Sequence, residues 1–150
     1  DKTVVLPQSQ AIGTYTITIK AGDTVVLTDT FTVKPIGIAS TGNLTVSGIT
    51  DKVIASSTSL ATLKTAVEGA TGVDTNAKIA SVTVTCGEKN AQYVPALGDD
   101  VTIEVTFEAN TNYAFNSDAT VGTLGGADAT NVARNTDGTI TATYVVTGQN

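Results

Sequence analysis

The feature that most limits how this chain can fold is Val101–Phe115, VTIEVTFEANTNYAF. Val101, Ile103, Val105 and Phe107 alternate with Thr102, Glu104, Thr106 and Glu108 without a break. Successive side chains of a strand point to opposite faces, so this spacing predicts a strand with one apolar and one wet face. Asn110-Thr111-Asn112 reads as a turn, and Tyr113-Ala114-Phe115 brings two aromatics back over the apolar side. That places the stretch at the centre of a β-sandwich sheet. It carries no catalytic signature.

The same alternation recurs elsewhere. Thr3–Leu6 is a short strand stopped by Pro7, and Thr14–Lys20 puts Tyr15, Ile17 and Ile19 on one face. Ala21-Gly22-Asp23 supplies a hairpin turn, and Thr24–Lys34 returns with Val25, Leu27, Phe31 and Val33 in phase. Asp29 falls on that apolar face, which predicts a bulge or bend there. Ile36–Thr50 is rich in Gly and Ser, with a short strand over Asn43–Val46. Asn43-Leu44-Thr45 within it is formally a glycosylation sequon, read here as a chance match.

From Ser56 to Gly69 the period changes: Leu60, Leu63 and Val67 recur at helical spacing. Ser57 or Ser59 caps the start and Gly69 or Gly72 the end, giving one short helix near 57–69. Beyond Lys78, Ala80, Val82, Val84 and Cys86 share a face. Gln92–Leu97 reads as a short strand interrupted by Pro95, Val121–Gly126 as a loop, and Asn131–Arg134 as a strand before the hairpin turn Asn135–Gly138. Thr139–Val146 closes the chain with Ile140, Ala142, Tyr144 and Val146 facing in. The expected organisation is a partial β unit at 1–35, a Gly/Ser/Thr-rich connector with the helix at 36–75, and a β-sandwich at 76–150.

The stretch GTYTITIKAGDTVVLTDTFTVKP resembles the closing hairpin of a bacterial immunoglobulin-like module, including the exit at Lys34-Pro35. The C-terminal half resembles a second immunoglobulin-like type, common in surface and S-layer mosaics of Gram-positive bacteria. Its matching residues are Tyr93, Pro95, Asp100, the VTIEVTFEA run, Tyr113-Ala114-Phe115 and DGTITATYVV. These are core and turn features, so they speak for a fold and not for an activity. The resemblance implies an all-β protein of immunoglobulin-like β-sandwich modules. It also implies a non-catalytic structural part of an extracellular bacterial surface layer, filament or adhesin. Immunoglobulin-like modules also decorate phage virions and tails, and others bind glycans.

Composition narrows the chemistry. The chain has 14 Asp+Glu against 8 Lys+Arg, a net charge of −6. The cations never cluster and Arg134 is the only arginine, which argues against a nucleic-acid groove. Histidine is absent, which removes the usual general base, zinc ligand and triad partner. Cys86, the single cysteine, sits in phase with Val82 and Val84 and reads as a small core hydrophobe. Glu104 and Glu108 lie four residues apart on one strand face. That spacing separates them by roughly 13 Å, beyond the reach of a glycosidase pair.

Asp99, Asp100, Asp128 and Asp137 are loop carboxylates hard enough for calcium, yet none shows a calcium-loop spacing. Lys20, Lys34 and Glu104 fall on wet faces, where an intramolecular isopeptide crosslink cannot form. Among tyrosines only Tyr93 is left for stacking on a sugar. No cofactor is expected, and no apolar run reaches the roughly 18 residues of a membrane span. The absence of His, Met and Trp points to an exported setting, at a cell or virion surface. The chain opens on Asp1, as expected of a processed product or an excerpt.

One expectation concerns partners. Residues 1–35 offer three strands where an immunoglobulin-like sandwich uses about seven. Tyr15, Ile17, Ile19 and Phe31, with Val25, Leu27 and Val33, therefore form an apolar face in need of a cover. Residues 36–50, the helix, or another chain could supply it. The expected cover is a like subunit or neighbouring module that adds strands at an open edge, or sequence upstream of Asp1.

Overall fold

The computed structural model of the chain describes residues 11–149. The strand expected at Thr3–Leu6 lies outside the described residues. The architecture is all-β with one short helix, and the chain divides into Asp1–Ile36 and Gly37–Asn150.

The first unit is an antiparallel hairpin of β1 (Gly13–Ala21) and β2 (Thr24–Val33). Gly22 takes the positive φ of 64° that the turn requires. Cross-strand register pairs Tyr15 with Phe31, Ile17 with Asp29 and Ile19 with Leu27. The opposite face pairs Thr14 with Thr32, Thr16 with Thr30 and Thr18 with Thr28, and the first pair's hydroxyls lie 3.2 Å apart. The bulge expected at Asp29 lies instead near the turn, where the register passes from Ile19↔Leu27 to Lys20↔Val25 and skips Val26. Val25 is thereby carried to the face of Lys20, out of phase with Leu27. Asp29 remains on the apolar face.

The second unit contains β3 (Ile36–Ser40), β4 (Ile49–Thr50), β5 (Val53–Ile54), α1 (Leu60–Glu68) and β6 (Ala77–Thr85). It continues with β7 (Asp100–Ala109), β8 (Tyr113–Thr120), β9 (Ala129–Arg134) and β10 (Ile140–Thr147). The main sheet runs β4-β5-β10-β7-β6, with β9 also on β10, and β3 pairs separately with β8. It is a mixed sheet, since β5 meets β10 in parallel at Val53 and Thr147. The alternation at the centre of the chain does what it predicts. Val101, Ile103, Val105 and Phe107 of β7 and Ile140, Ala142, Tyr144 and Val146 of β10 are all buried, register-paired from Ile140↔Phe107 to Val146↔Val101.

Residues 37–75, expected as a connector, belong to this unit. Leu44, Val46, Ile49, Ile54, Leu60, Leu63 and Val67 belong to one core with β7 and β10. The strand expected over Asn43–Val46 is not formed: Leu44 and Thr45 make only isolated bridges, and Leu44 and Val46 reach the core from irregular backbone. On α1, the Ser59 hydroxyl accepts from the Thr62 amide at 3.2 Å, and Leu60, Leu63 and Val67 form the buried stripe.

Gln92–Leu97 is not a strand. The carbonyls of Tyr93 and Ala91 accept from the amides of Leu60 and Ala61 at 2.9 and 2.8 Å, so the segment completes the start of α1. On β6 a bulge skips Ala80, passing from Ile79↔Phe107 to Ser81↔Thr106. Ile79 therefore faces inward and Ala80, expected in the core, is exposed.

Candidate functional site

The hairpin by itself presents an uncovered apolar face. Not one residue between 11 and 36 is buried, and Ile19 and Leu27 are 41% and 52% exposed. Tyr15 and Phe31 stack with ring centroids 5.2 Å apart, and the Tyr15 hydroxyl donates to the Ala11 carbonyl. The four residues picked out in the sequence, Tyr15, Ile17, Ile19 and Phe31, do share this face. Asp29 sits in the middle of it, between Leu27 and Phe31. Its carboxylate accepts only from the adjacent amide of Thr30 at 2.8 Å among the hydrogen bonds of the described residues.

The second unit has a seam where its two layers part. Val132 and Arg134 of β9 are register-paired with Ala142 and Ile140, which are both buried. They therefore lie on the inner side of the sheet, yet Val132 is 42% exposed and Arg134 is exposed as well. The layer that covers β10 stops short of β9. A cleft of about 710 Å³ opens there between β9 and the end of β8. Arg134 spans it, its guanidinium donating to the carbonyls of Asn116 and Ala119. The neighbouring carbonyl of Thr120 is taken by the Thr41 amide at 3.0 Å. Among the described residues β8 pairs only with β3, so its other edge is open, and no strand pairs with the outer edge of β9.

The sequence singled out Arg134 only as the sole arginine. Its strand is too short for alternation to reveal which face it occupies.

The carboxylates considered for calcium are engaged separately. Asp99 accepts from the Tyr93 hydroxyl at 2.6 Å and the Ala96 amide at 2.8 Å, and these bonds hold its carboxyl below the usual range. The same bond to Asp99 pushes the Tyr93 phenol up. Asp137 accepts from the hydroxyl and amide of Thr139, which lowers it likewise. Asp128 is highly exposed and lies 3.9 Å from Lys52, and Asp100 opens β7 opposite Thr147. Among the described residues no three of Asp, Glu, Cys and His gather closely enough to hold a metal ion.

Tyr93, the candidate sugar platform, is committed on both sides. Its hydroxyl serves Asp99 and the Lys89 ammonium lies 4.8 Å over its ring. Cys86 is buried, and burial followed by the charge of Asp99 pushes its thiol up. Asn43 of the sequon uses its side-chain carbonyl to accept from the Thr123 amide at 2.9 Å. No helix among the described residues is long and apolar enough to cross a membrane. Each unit presents an unfinished surface, an apolar ribbon face on the first and a seam between β8 and β9 on the second. Comparison with family models, with curated proteins and with solved structures returns no match.

Proposed function

We propose that this chain is a non-catalytic assembly module, built on immunoglobulin-like lines and working in an extracellular bacterial layer, filament or adhesin. The observation that carries the reading is the contrast between the two units. The second buries its apolar alternation completely on β7 and β10, whereas the first displays the same alternation with nothing buried. An apolar ribbon face held open in water needs a partner, and a two-stranded hairpin alone is marginal at best. Strand addition satisfies backbone donors and covers side chains in one step, which suits a subunit that joins to others. The extracellular placing rests on the resemblance and on a composition without His, Met or Trp.

The test is sedimentation velocity over a wide concentration range, with electron microscopy of the same material. Ordered assemblies lost on Ile17→Asp or Phe31→Asp, with the circular dichroism of the second unit unchanged, support the reading. A monomer at every concentration, or retention on cell-wall polysaccharide with turnover of neither sugar nor peptide, replaces it with a ligand-binding module.

A further inference from the structure

We infer that the hairpin of one copy docks in the β8–β9 seam of another, with Asp29 paired to Arg134. This rests on the assembly reading above and names its partner.

The hairpin face has one feature that forbids most partners, namely Asp29 between Leu27 and Phe31. A carboxylate pressed against an apolar surface must find a cation or hydrogen-bond donors there. Two hairpins packed face to face cannot provide them, because the face of a second copy carries Asp29 and no cation.

The seam supplies what the face lacks. It offers apolar side chains in Val121, Ala129 and Val132, and an unpaired strand edge on β9 of about 20 Å. It also holds the chain's only guanidinium. Arg134 occupies the carbonyl of Ala119 in place of a strand amide. An incoming strand can give that carbonyl its own N–H, which frees Arg134 to turn to the arriving carboxylate. The exchange re-pairs the Ala119 carbonyl and gives up the longer contact to Asn116, whose exposed carbonyl is left to water, and a guanidinium–carboxylate contact is the stronger bond. Face and seam are different surfaces, so the contact is heterologous and repeats head to tail, closing into a ring or running on as a filament.

Charge reversal tests this on the whole chain. Asp29 is exposed and bonded only to its neighbour's amide, so Asp29→Arg leaves the fold intact and should weaken association about tenfold or more. Arg134→Asp should do the same. Mixing the two variants should restore assembly, because each then offers the complement of the other. That rescue also guards against misfolding, since an unfolded variant cannot complement. Asp29→Asn, a neutral isostere, should fall between Asp29→Arg and the parent. Parent-like assembly by Asp29→Arg, or a mixture no better than the single variants, overturns the pairing. If assembly still fails with Ile17→Asp in that case, the assembly reading stands and only the partner surface is wrong.

Discussion

Gly42→Ala tests whether close backbone approach holds the second unit together. Gly42 follows Thr41, which is fully buried and acts as a hub: its amide donates to Thr120, its carbonyl accepts from Asp74 and its hydroxyl accepts from the Gly122 amide. A Cβ on Gly42 would sit 2.1 Å from the Gly72 carbonyl oxygen and 2.9 Å from the Asp74 amide nitrogen, both backbone atoms that cannot swing aside. Gly42 also has φ of 85°, which costs an L-residue about 1–2 kcal/mol. Overpacking adds about 1–3 kcal/mol, giving a total of about 2–5 kcal/mol once the loops shift. Gly138 provides the control. Its φ is 87°, but nothing lies within 4 Å of its added Cβ, so Gly138→Ala should cost only the 1–2 kcal/mol of backbone strain. Urea denaturation followed by circular dichroism gives both values, with unchanged m-values confirming that the folded states are comparable. The variants should differ by about 2 kcal/mol. Equal midpoints would refute the claim that contact between loops, and not φ alone, demands glycine at position 42.

Three further outcomes follow from the same core. Burial pushes the Tyr144 phenol up to about 12, so its stabilising contribution is complete below pH 10 and is lost as pH rises towards 12. Between pH 8 and pH 11 about 1 kcal/mol of it is lost, and Tyr144→Phe should abolish that loss in urea titrations at those two pH values; equal alkali sensitivity of variant and parent would contradict the assignment. Cys86 should resist a thiol reagent until the protein unfolds, and Cys86→Ala should cost about 1 kcal/mol by thermal denaturation. Ser59→Ala removes the acceptor for the Thr62 amide and should cost about 1 kcal/mol by thermal denaturation.

How much of this could be read from the chain depends on where the information was local. Alternation gave β7 and β10 correctly because their inner residues are consecutive odd or even positions with no bulge between them. It misplaced Ala80 and Val25, since one skipped residue reverses the phase and nothing in either side chain announces the skip. Leu60, Leu63 and Val67 gave the helix, but the role of Ala91 and Tyr93 in completing its first turn is a long-range backbone arrangement without a side-chain signature. Leu44 and Val46 looked like connector because irregular backbone buries them, and Ile49 because its strand β4 is only two residues long, too short to show a period.

The candidate surfaces divide in the same way. Tyr15, Ile17, Ile19 and Phe31 share a strand face that period 2 exposes directly, so the ribbon was legible. The seam was not, because it arises from a layer that ends too early, and its occupant Arg134 is identified only by pairing with Ile140 across β10. Alternation thus reports that a face requires a cover while leaving open which part of the assembly provides it. In the second unit β7 and β10 find theirs in α1 and the loops around Leu44 and Leu124, parts of the same unit both near and far along the chain. The ribbon, with an acid at its centre, is selective about its cover, and Asp29 is the residue through which that selectivity can be measured.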